Sequence, residues 1–290
     1  MNWAMARQND WKIVLRIEDL DSPRVKPWAK QQAVDDLTWL SMDWDTDAGF
    51  QLDDLQPYEQ ALDQLYQQQL IYPCQCTRKE IQQAQSAPHG DEHELRYPGT
   101  CKPADKTTLP NRQTDNTAWR VIIPDQTLEY VDGFAGKQSH NAQQQVGDFI
   151  LSTKAGLPAY QLAVVVDDAR QGITDVVRGD DLMRSAARQL WLYRYLNLSP
   201  IPTYWHLPLV LGPDGRRLAK RHGDTRLSYY RDSGTQAEKI IGLIACWCGI
   251  QQTRDAMTSS EFAKRFDLSK LSHGSVTFTA EDDQWLLQDN

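Results

Sequence analysis

Three cysteines and a tyrosine in the first half of the chain have the types and spacing of a metal site. Cys74 and Cys76 form a C-x-C pair, and Cys101 ends the run Tyr97-Pro-Gly-Thr-Cys. Three thiolates and a phenol can complete a tetrahedral site, and zinc prefers thiolate ligands. A closed four-ligand site would hold together a polar segment that lacks its own apolar core. The spacing therefore predicts a structural zinc site.

Several alternatives to this assignment stay open. Tyr97 is an unusual ligand, and His89 or His93 could replace it. The three thiols could also be unrelated residues of a surface loop. The remaining cysteines, Cys246 and Cys248, lie in an apolar helical segment, where small core residues are a better interpretation than a second metal site.

A basic segment between two glycines is a candidate phosphate-binding loop. Between Gly215 and Gly223 the sequence holds four cations and His222. A mobile basic loop can close on a polyphosphate and neutralise the charge that develops there. A solvated surface loop is the alternative, because most charge runs are solvated.

Charged and aromatic side chains occur where strand-like runs end. Glu18 closes an apolar run, and Tyr160 and Arg178 follow or end others. Ligands of open α/β sheets bind at the carboxyl ends of strands. A carboxylate can hold an ammonium group and a guanidinium can hold a carboxylate, so this set suits a zwitterionic amino acid. An internal Glu18–Arg178 salt bridge is the alternative.

The elements that position these residues alternate between strands and helices. The apolar run at 11–19 predicts a buried parallel strand, and helical spacing predicts helices at 27–40, 58–69 and 185–196. Further strands are predicted at 119–123, 147–151, 173–179 and 203–211, with mostly helical structure after residue 226. The polar, turn-rich part from 73 to about 156 reads as an insertion in a larger α/β domain.

Composition limits the class of protein. The 290 residues carry a net charge of -8, with 40% apolar residues. No apolar run is long enough to span a bilayer, no signal core opens the chain, and an odd cysteine count suits a reducing compartment, so we expect a cytoplasmic protein. The acidic balance excludes indiscriminate coating of nucleic acid, but a local basic face could still bind RNA.

Several segments, in order, resemble glutamyl-tRNA synthetases and their shorter paralogues, the glutamyl-Q tRNA(Asp) synthetases. LRIEDLDSPR at 15–24 is similar to the LRIEDxDxxR signature, and RLAKR at 217–221 stands where the KMSKS loop belongs. The other similar segments are DLTWLSMDWD at 36–45, YQLAVVVDD at 160–168, VVRGDDL at 176–182 and HLPLVL at 206–211. The cysteine elements, and the short stretch after the loop, favour the shorter branch.

The resemblance implies a fold and its division. It implies an α/β fold, namely a Rossmann-type class I aminoacyl-tRNA synthetase catalytic domain with a zinc-bearing insertion and a helical C-terminal region. The expected parts are 1–72 and 158–225 for the catalytic domain, 73–157 for the insertion and 226–290 for a stem-contact-like region.

The resemblance also implies a reaction. The family activates L-glutamate with ATP, together with Mg²⁺, and transfers glutamate to the queuosine base in the anticodon of tRNA(Asp); we expect a monomer. Glu18 would contact the glutamate ammonium, Arg178 a glutamate carboxylate, and Tyr160 would line the pocket. Lys220 would be the catalytic, ATP-binding residue of the loop. The implied zinc ligands are Cys74, Cys76, Tyr97 and Cys101.

The sequence departs from the family pattern in two places. It begins at the end of the helix that carries the HIGH signature, without the preceding strand, so we expect the true start to lie upstream and two strand edges to be exposed. In the loop, Arg217 replaces a lysine and Ala219 a serine. Alternative functions are a truncated glutamyl-tRNA synthetase that charges tRNA 3′ ends, or a non-catalytic paralogue that binds RNA or a partner.

Overall fold

The computed structural model describes residues 1–20, 28–83, 95–104, 112, 116–219, 222–223 and 225–288. Its helices are α1 Asn2–Gln8, α2 Ala29–Trp39, α3 Gln56–Gln67, α4 Arg78–Gln83, α5 Ala142–Gln145, α6 Tyr160–Arg170, α7 Met183–Leu196, α8 Leu227–Asp232, α9 Ala237–Trp247, α10 Ser259–Arg265 and α11 Ala280–Leu287. Its strands are β1 Val14–Ile17, β2 Thr46–Phe50, β3 Ile71–Cys74, β4 Ala118–Val121, β5 Leu128–Asp132, β6 Gly136–His140, β7 Ile150–Ser152, β8 Asp175–Gly179, β9 Thr203–Leu207, β10 Val210–Leu211 and β11 Val276–Thr277.

Two parallel strand pairs, each joined through a helix, form the α/β part of the molecule. Strand β1 pairs with β2 across helix α2, and β8 pairs with β9 across helix α7. A parallel pair needs such a crossover, so both units are βαβ motifs. The predicted α/β class is confirmed. The two pairs belong to separate sheets in the described part of the chain.

The apolar run at residues 160–168 forms helix α6. A buried helix and a buried strand both give a continuous apolar run, so periodicity does not separate them. The residues from Gln161 to Asp168 are all buried in the structure. Helix α6 packs against α3 and α7 in a first apolar core, which includes Leu62, Leu162 and Leu192.

The predicted strand at 203–211 is wrong as a single element. It divides into β9 and β10, and Pro208 stands between them. A proline has no N–H to donate to a ladder, so it ends regular pairing on its strand. Strand β10 pairs in parallel with β11. This pairing links the C-terminal segment to the strand that precedes the basic loop.

Antiparallel strands make up the region between α3 and α6. Strands β3, β4 and β7 form one sheet, and β5 and β6 form a hairpin. Buried Asp148 accepts a hydrogen bond from the Tyr72 hydroxyl at 3.0 Å and one from the Ile123 N–H at 2.9 Å. Arg120 donates to the carbonyl of the same aspartate at 2.7 Å. These contacts hold the sheet beneath the cysteines.

Helices dominate after residue 226, as the sequence predicts. Cys248 is 6% exposed in a second apolar core, which includes Ile241 and Phe262, and this confirms its role as a small core residue. Cys246 is half-buried. None of the described helices has the length and apolar character needed to cross a membrane.

Replacing Gly242 by alanine is expected to destabilise the protein. A Cβ atom there would overlap the backbone carbonyl of Asp255, so α9 and the segment after it would have to separate. Overpacking of this kind costs about 1–3 kcal/mol, and it opposes the gain of about 0.5–1 kcal/mol that alanine brings to an ordinary helix position. Thermal unfolding measures the result. The control is Gly274→Ala, where the nearest atom, Ser272 Oγ, is 3.5 Å away. A higher Tm for Gly242→Ala would contradict the described packing.

Candidate active site and cysteine cluster

A cleft of about 980 Å³ lies between the two parallel strand pairs. Residues of β1 and of β8 line it from opposite sides, so both strands turn an edge towards it. Glu18, Tyr160 and Arg178 all line this cleft. The structure therefore brings together the three residues that the sequence predicts for an amino-acid pocket.

Neutral groups hold the Arg178 guanidinium. Its Nε donates to His206 Nε2 at 3.0 Å, its Nη1 to Gln189 Oε1 at 2.9 Å and its Nη2 to the Leu182 carbonyl at 3.3 Å. The guanidinium carbon lies 4.8 Å from the centre of the Tyr204 ring. Within the described ranges no carboxylate oxygen lies within 4.0 Å of these nitrogens. The orientation of Arg178 is fixed while its charge stays unpaired there.

Glu18 is paired with a different arginine. Its Oε1 lies 3.3 Å from Arg16 Nη2, and its side chain is 43% exposed. Arg16 also bonds Asp168 at 2.9 Å and Gln171 at 2.7 Å. The predicted alternative, an internal Glu18–Arg178 salt bridge, is therefore wrong. Because Arg16 is shared among three carboxylates, those of Glu18, Asp167 and Asp168, it neutralises Glu18 only in part where Glu18 lines the cleft.

Tyr160 is the first residue of helix α6 and is 44% exposed. Partial burial of its hydroxyl raises its pKa, the nearby Arg178 opposes this, and Glu18 and Asp168 add to it. The phenol therefore stays protonated at neutral pH and can donate a hydrogen bond within the cleft.

Sequence reasoning missed the residues that support Arg178. His206 lies opposite it in the parallel register of β8 and β9. Gln189 lies on helix α7, and its side-chain amide donates a hydrogen bond to Gln161 Oε1 at 3.0 Å. Only the strand register and the helix packing bring these residues together. Arg16 could have been found, because it stands two residues before Glu18, and residues two apart in an extended segment face the same side.

The predicted catalytic residue Lys220 lies outside the described residues. Described residues before and after Lys220 make contacts that anchor the basic loop. The Ala219 N–H donates to His222 Nδ1 at 3.1 Å, and His222 Nε2 lies 2.8 Å from Asp214 Oδ1. Arg217, in place of the family's lysine, pairs with Asp181 at 2.8 Å. The loop thus has described anchors close to the position of the lysine.

The predicted zinc ligands form one cluster. The sulfurs of Cys74, Cys76 and Cys101 all lie within 4.8 Å of one another. The Tyr97 hydroxyl lies 3.5 Å from the Cys74 sulfur and 3.8 Å from that of Cys76, and it accepts a hydrogen bond from the Cys101 N–H at 2.8 Å. Strand β3 carries Cys74, and the Tyr97 N–H bonds the Val146 carbonyl at 2.8 Å. The alternative ligands His89 and His93 lie outside the described residues.

Charge around the cluster suits anionic sulfur. Arg120 Nε donates to the Cys74 sulfur at 3.2 Å, and its guanidinium stacks 3.7 Å from the centre of the Tyr97 ring. Burial raises the pKa of the Cys76 thiol to about 11. Burial also acts upward on the pKa of Cys101, but hydrogen bonds from the Gln75 backbone and Tyr97 outweigh it and lower that pKa to about 7. At least one thiol is therefore readily deprotonated.

A parallel α/β frame with charged residues at the carboxyl ends of β1 and β8 is typical of nucleotide-dependent enzymes. Residues 1–285 match the family of class I tRNA synthetases (E and Q), catalytic domain. The chain belongs to this family and is a ligase of the aminoacyl-tRNA synthetase type.

Relatives within the family agree with the branch predicted from sequence. A glutamyl-Q tRNA(Asp) synthetase of Rhodopirellula baltica is 46% identical over 268 residues, which cover 89% of this chain and 80% of the relative. One of Symbiobacterium thermophilum is 39% identical, over 96% of this chain and 89% of the relative. The predicted resemblance to glutamyl-Q tRNA(Asp) synthetases is thereby confirmed.

Solved structures support the fold. A glutamate tRNA ligase of Elizabethkingia meningosepticum, determined in complex with its amino acid, superposes with a TM-score of 0.78 at 26% identity. The superposition covers 98% of this chain and 64% of the ligase, so the chain spans about two thirds of the length of that structure.

Proposed function

We propose that this protein activates L-glutamate with ATP and transfers it to the queuosine base in the anticodon of tRNA(Asp). The observation that carries the proposal is the Arg178 guanidinium, which three neutral acceptors orient and which has no carboxylate partner in the described structure. It shares a cleft with Glu18 and Tyr160, so one cleft offers a cation, an anion and a phenol donor. The relatives' names, which specify glutamate and tRNA(Asp), support the same assignment.

In the proposed first step, the cleft positions glutamate against ATP. Arg178 takes a carboxylate of the substrate through charge-assisted hydrogen bonds, and Glu18 takes its ammonium. Tyr160 lines the pocket and donates its hydroxyl proton as a hydrogen bond. An oxygen of the α-carboxylate attacks the α-phosphorus, a new O–P bond forms, and the bond to the leaving pyrophosphate breaks. ATP enters with Mg²⁺ as part of the substrate.

Charge stabilisation supplies most of the catalysis in this proposal. Lys220 would hold the ATP phosphates, and the anchored basic loop would place it there. Positioning of two reactants and preorganised cations are sufficient for a displacement at phosphorus. No covalent nucleophile from the protein takes part.

In the proposed second step a hydroxyl of the queuosine base attacks the carbonyl carbon of glutamyl-adenylate, an ester bond forms, and the bond to the leaving AMP breaks. Sequence-specific RNA recognition targets single-stranded loops with splayed bases, which an anticodon provides. Because the chain has a net charge of -8, its RNA-binding surface must be a local basic one.

We assign residues 1–72 and 158–225 to the catalytic domain, 73–157 to the insertion and 226–290 to a stem-contact-like region. Five free cysteines suit a reducing compartment, and we propose that the protein is a cytoplasmic monomer.

We also propose that the cysteine cluster binds a structural zinc ion. Zn–S bonds of about 2.3 Å place the sulfurs of a tetrahedral site roughly 3.8 Å apart, and the three sulfurs here lie within 4.8 Å of one another. The Tyr97 oxygen lies among them and would be the fourth ligand. The ion would supply no chemistry to the reaction. It would link strand β3 to the loop that carries Cys101.

The transfer step tests the function directly. The full-length gene product is incubated with ATP, radiolabelled glutamate and tRNA(Asp). The tRNA is prepared with and without queuosine, and each preparation is used both intact and without its 3′-terminal nucleotide. We expect label only on queuosine-containing tRNA, with or without the 3′ nucleotide. Labelling that requires the 3′ nucleotide and does not depend on queuosine would identify a synthetase that charges tRNA 3′ ends. RNA binding without label would identify the non-catalytic alternative.

Replacing Gln189 by glutamate is expected to weaken glutamate binding. The new carboxylate would occupy the position of Gln189 Oε1, 2.9 Å from Arg178 Nη1, and would neutralise the charge that the substrate needs. Losing a hydrogen bond to a charged group costs about 1.5–3 kcal/mol, so the KM for glutamate should rise roughly 10- to 150-fold. Glutamate-dependent ATP–pyrophosphate exchange measures it, with Gln145→Glu as a control outside the cleft. An unchanged KM would contradict the proposed role of Arg178.

A further inference from the structure

A buried aspartate–histidine pair lies directly behind Arg178. His206 Nδ1 is 2.6 Å from Asp132 Oδ2, and both side chains have no exposed surface. Asp132 ends strand β5, in the region between α3 and α6, whereas His206 lies on β9 opposite Arg178. Two distant parts of the sequence thus meet at the arginine that lines the cleft.

The contacts determine the tautomer of His206. A guanidinium can only donate, so the Arg178 Nε–H at 3.0 Å requires a lone pair on His206 Nε2. The ionised carboxylate of Asp132 can only accept, so His206 Nδ1 must carry the proton. The histidine is therefore neutral and protonated on Nδ1. In the opposite tautomer, a proton on Nε2 would face the proton of Arg178 Nε.

The two oxygens of Asp132 have separate partners. Oδ1 accepts hydrogen bonds from the N–H groups of Phe134 at 3.0 Å, Ala135 at 2.8 Å and His206 at 3.2 Å. Oδ2 faces His206 Nδ1. Burial acts to raise the pKa of Asp132, but the hydrogen bonds from His206 and from these N–H groups outweigh it and lower the pKa. The carboxylate is therefore ionised and cannot rotate without losing three donors.

We propose that Asp132 and His206 are positioning residues for substrate binding by Arg178. Asp132 selects the tautomer of His206 that accepts from Arg178 Nε, and this bond turns the guanidinium towards the cleft. His206 separates the negative charge of Asp132 from Arg178. Asp132 therefore supports the arginine without competing with the substrate carboxylate for the guanidinium. The inference rests on the proposed function, since it takes Arg178 as the group that binds glutamate.

The substitution Asp132→Asn reverses the tautomer with little change in shape. Three backbone donors require the amide oxygen at the Oδ1 position, so the NH₂ group must face His206 Nδ1. The histidine proton then moves to Nε2 and opposes Arg178. We expect the KM for glutamate to rise about 10- to 100-fold, the cost of losing a hydrogen bond to a charged group. The KM for ATP should change less than about twofold, because ATP does not depend on Arg178.

A second variant separates positioning from folding. In His206→Gln an amide oxygen can still accept from Arg178 Nε, so this variant should retain most glutamate affinity. In His206→Leu no polar group links residue 132 to Arg178, so this variant should itself raise the KM for glutamate, and adding Asp132→Asn to it should change that KM less than about twofold further. The control Asp148→Asn alters another buried aspartate that accepts a backbone N–H, outside the cleft, and should lower Tm alone.

The test combines ATP–pyrophosphate exchange with ¹⁵N spectra of histidine-labelled full-length protein. We expect Asp132→Asn to move the His206 proton from Nδ1 to Nε2 and to raise the KM for glutamate, but to have little further effect in the His206→Leu background. An unchanged KM, or a tautomer that does not move, would overturn the inference while wild-type exchange upholds the proposed function. No exchange by the wild type would overturn the proposed function and with it this substrate role.

Discussion

Replacing Arg178 by glutamine should raise the KM for glutamate by about 30-fold to several thousand-fold, because removing one partner of a buried charged pair costs roughly 2–5 kcal/mol. The guanidinium lies in the cleft with neutral partners, so the substrate carboxylate would be its counter-charge. The KM for ATP should stay near its wild-type value. Glutamate-dependent ATP–pyrophosphate exchange at varied glutamate and ATP concentrations measures both.

Two variants make this result specific. Arg178→Lys keeps the charge but loses the planar fork, so it should bind glutamate better than the glutamine variant and worse than the wild type. Arg184→Gln makes the same change at an exposed position of helix α7 and should leave both KM values unchanged. Equal effects of Arg178→Gln on the KM for glutamate and for ATP would point to general disruption of the cleft instead.

Loss of the cysteine cluster should have the largest effect on stability. Purified protein is expected to contain one zinc ion per chain. Cys74→Ser should abolish the bound zinc and lower the free energy of unfolding by more than about 4 kcal/mol, since structural zinc binding is itself folding free energy. The affected part is the sheet of β3, β4 and β7 with the segment around Tyr97, which Cys74 joins.

Metal analysis and thermal unfolding together test this expectation. Cys246→Ser, at a half-buried thiol on helix α9, should leave the zinc content unchanged. Tyr97→Phe should keep zinc but bind it more weakly, because the phenol oxygen would be lost while three thiolates remain. Full stability and no zinc in the native protein would show instead that the hydrogen bonds among Cys76, Cys101 and Tyr97 are enough to hold this region.

Local pattern was sufficient to predict the elements that carry the site. The strand before Glu18, the strand carrying Arg178 and the helix through residues 185–196 follow from apolar spacing alone. The cysteine cluster could be predicted because its members lie within 28 positions, Cys74 to Cys101, and share one chemistry. Strand β2 was missed, because Thr46–Phe50 contains a glycine and an aspartate, which are unfavourable in strands.

Tertiary pairing explains what the sequence could not predict. Asp132 and His206 are 74 residues apart and meet only because strand β5 packs beside β9. Whether Glu18 pairs with Arg178 also depended on tertiary distance. In the structure Glu18 pairs with Arg16 instead, and Arg178 has no carboxylate partner among the described residues. Charge type and order along a chain do not determine which cation an exposed carboxylate will face.

Glutamate-dependent ATP–pyrophosphate exchange in the absence of tRNA is the most direct measurement, made on the full-length gene product. We predict exchange by the full-length protein that requires glutamate, is not supported by glutamine or aspartate, and is lost in Arg178→Gln. Exchange that another amino acid supports equally well, or no exchange by a folded full-length protein, would contradict the assignment of this cleft to glutamate activation.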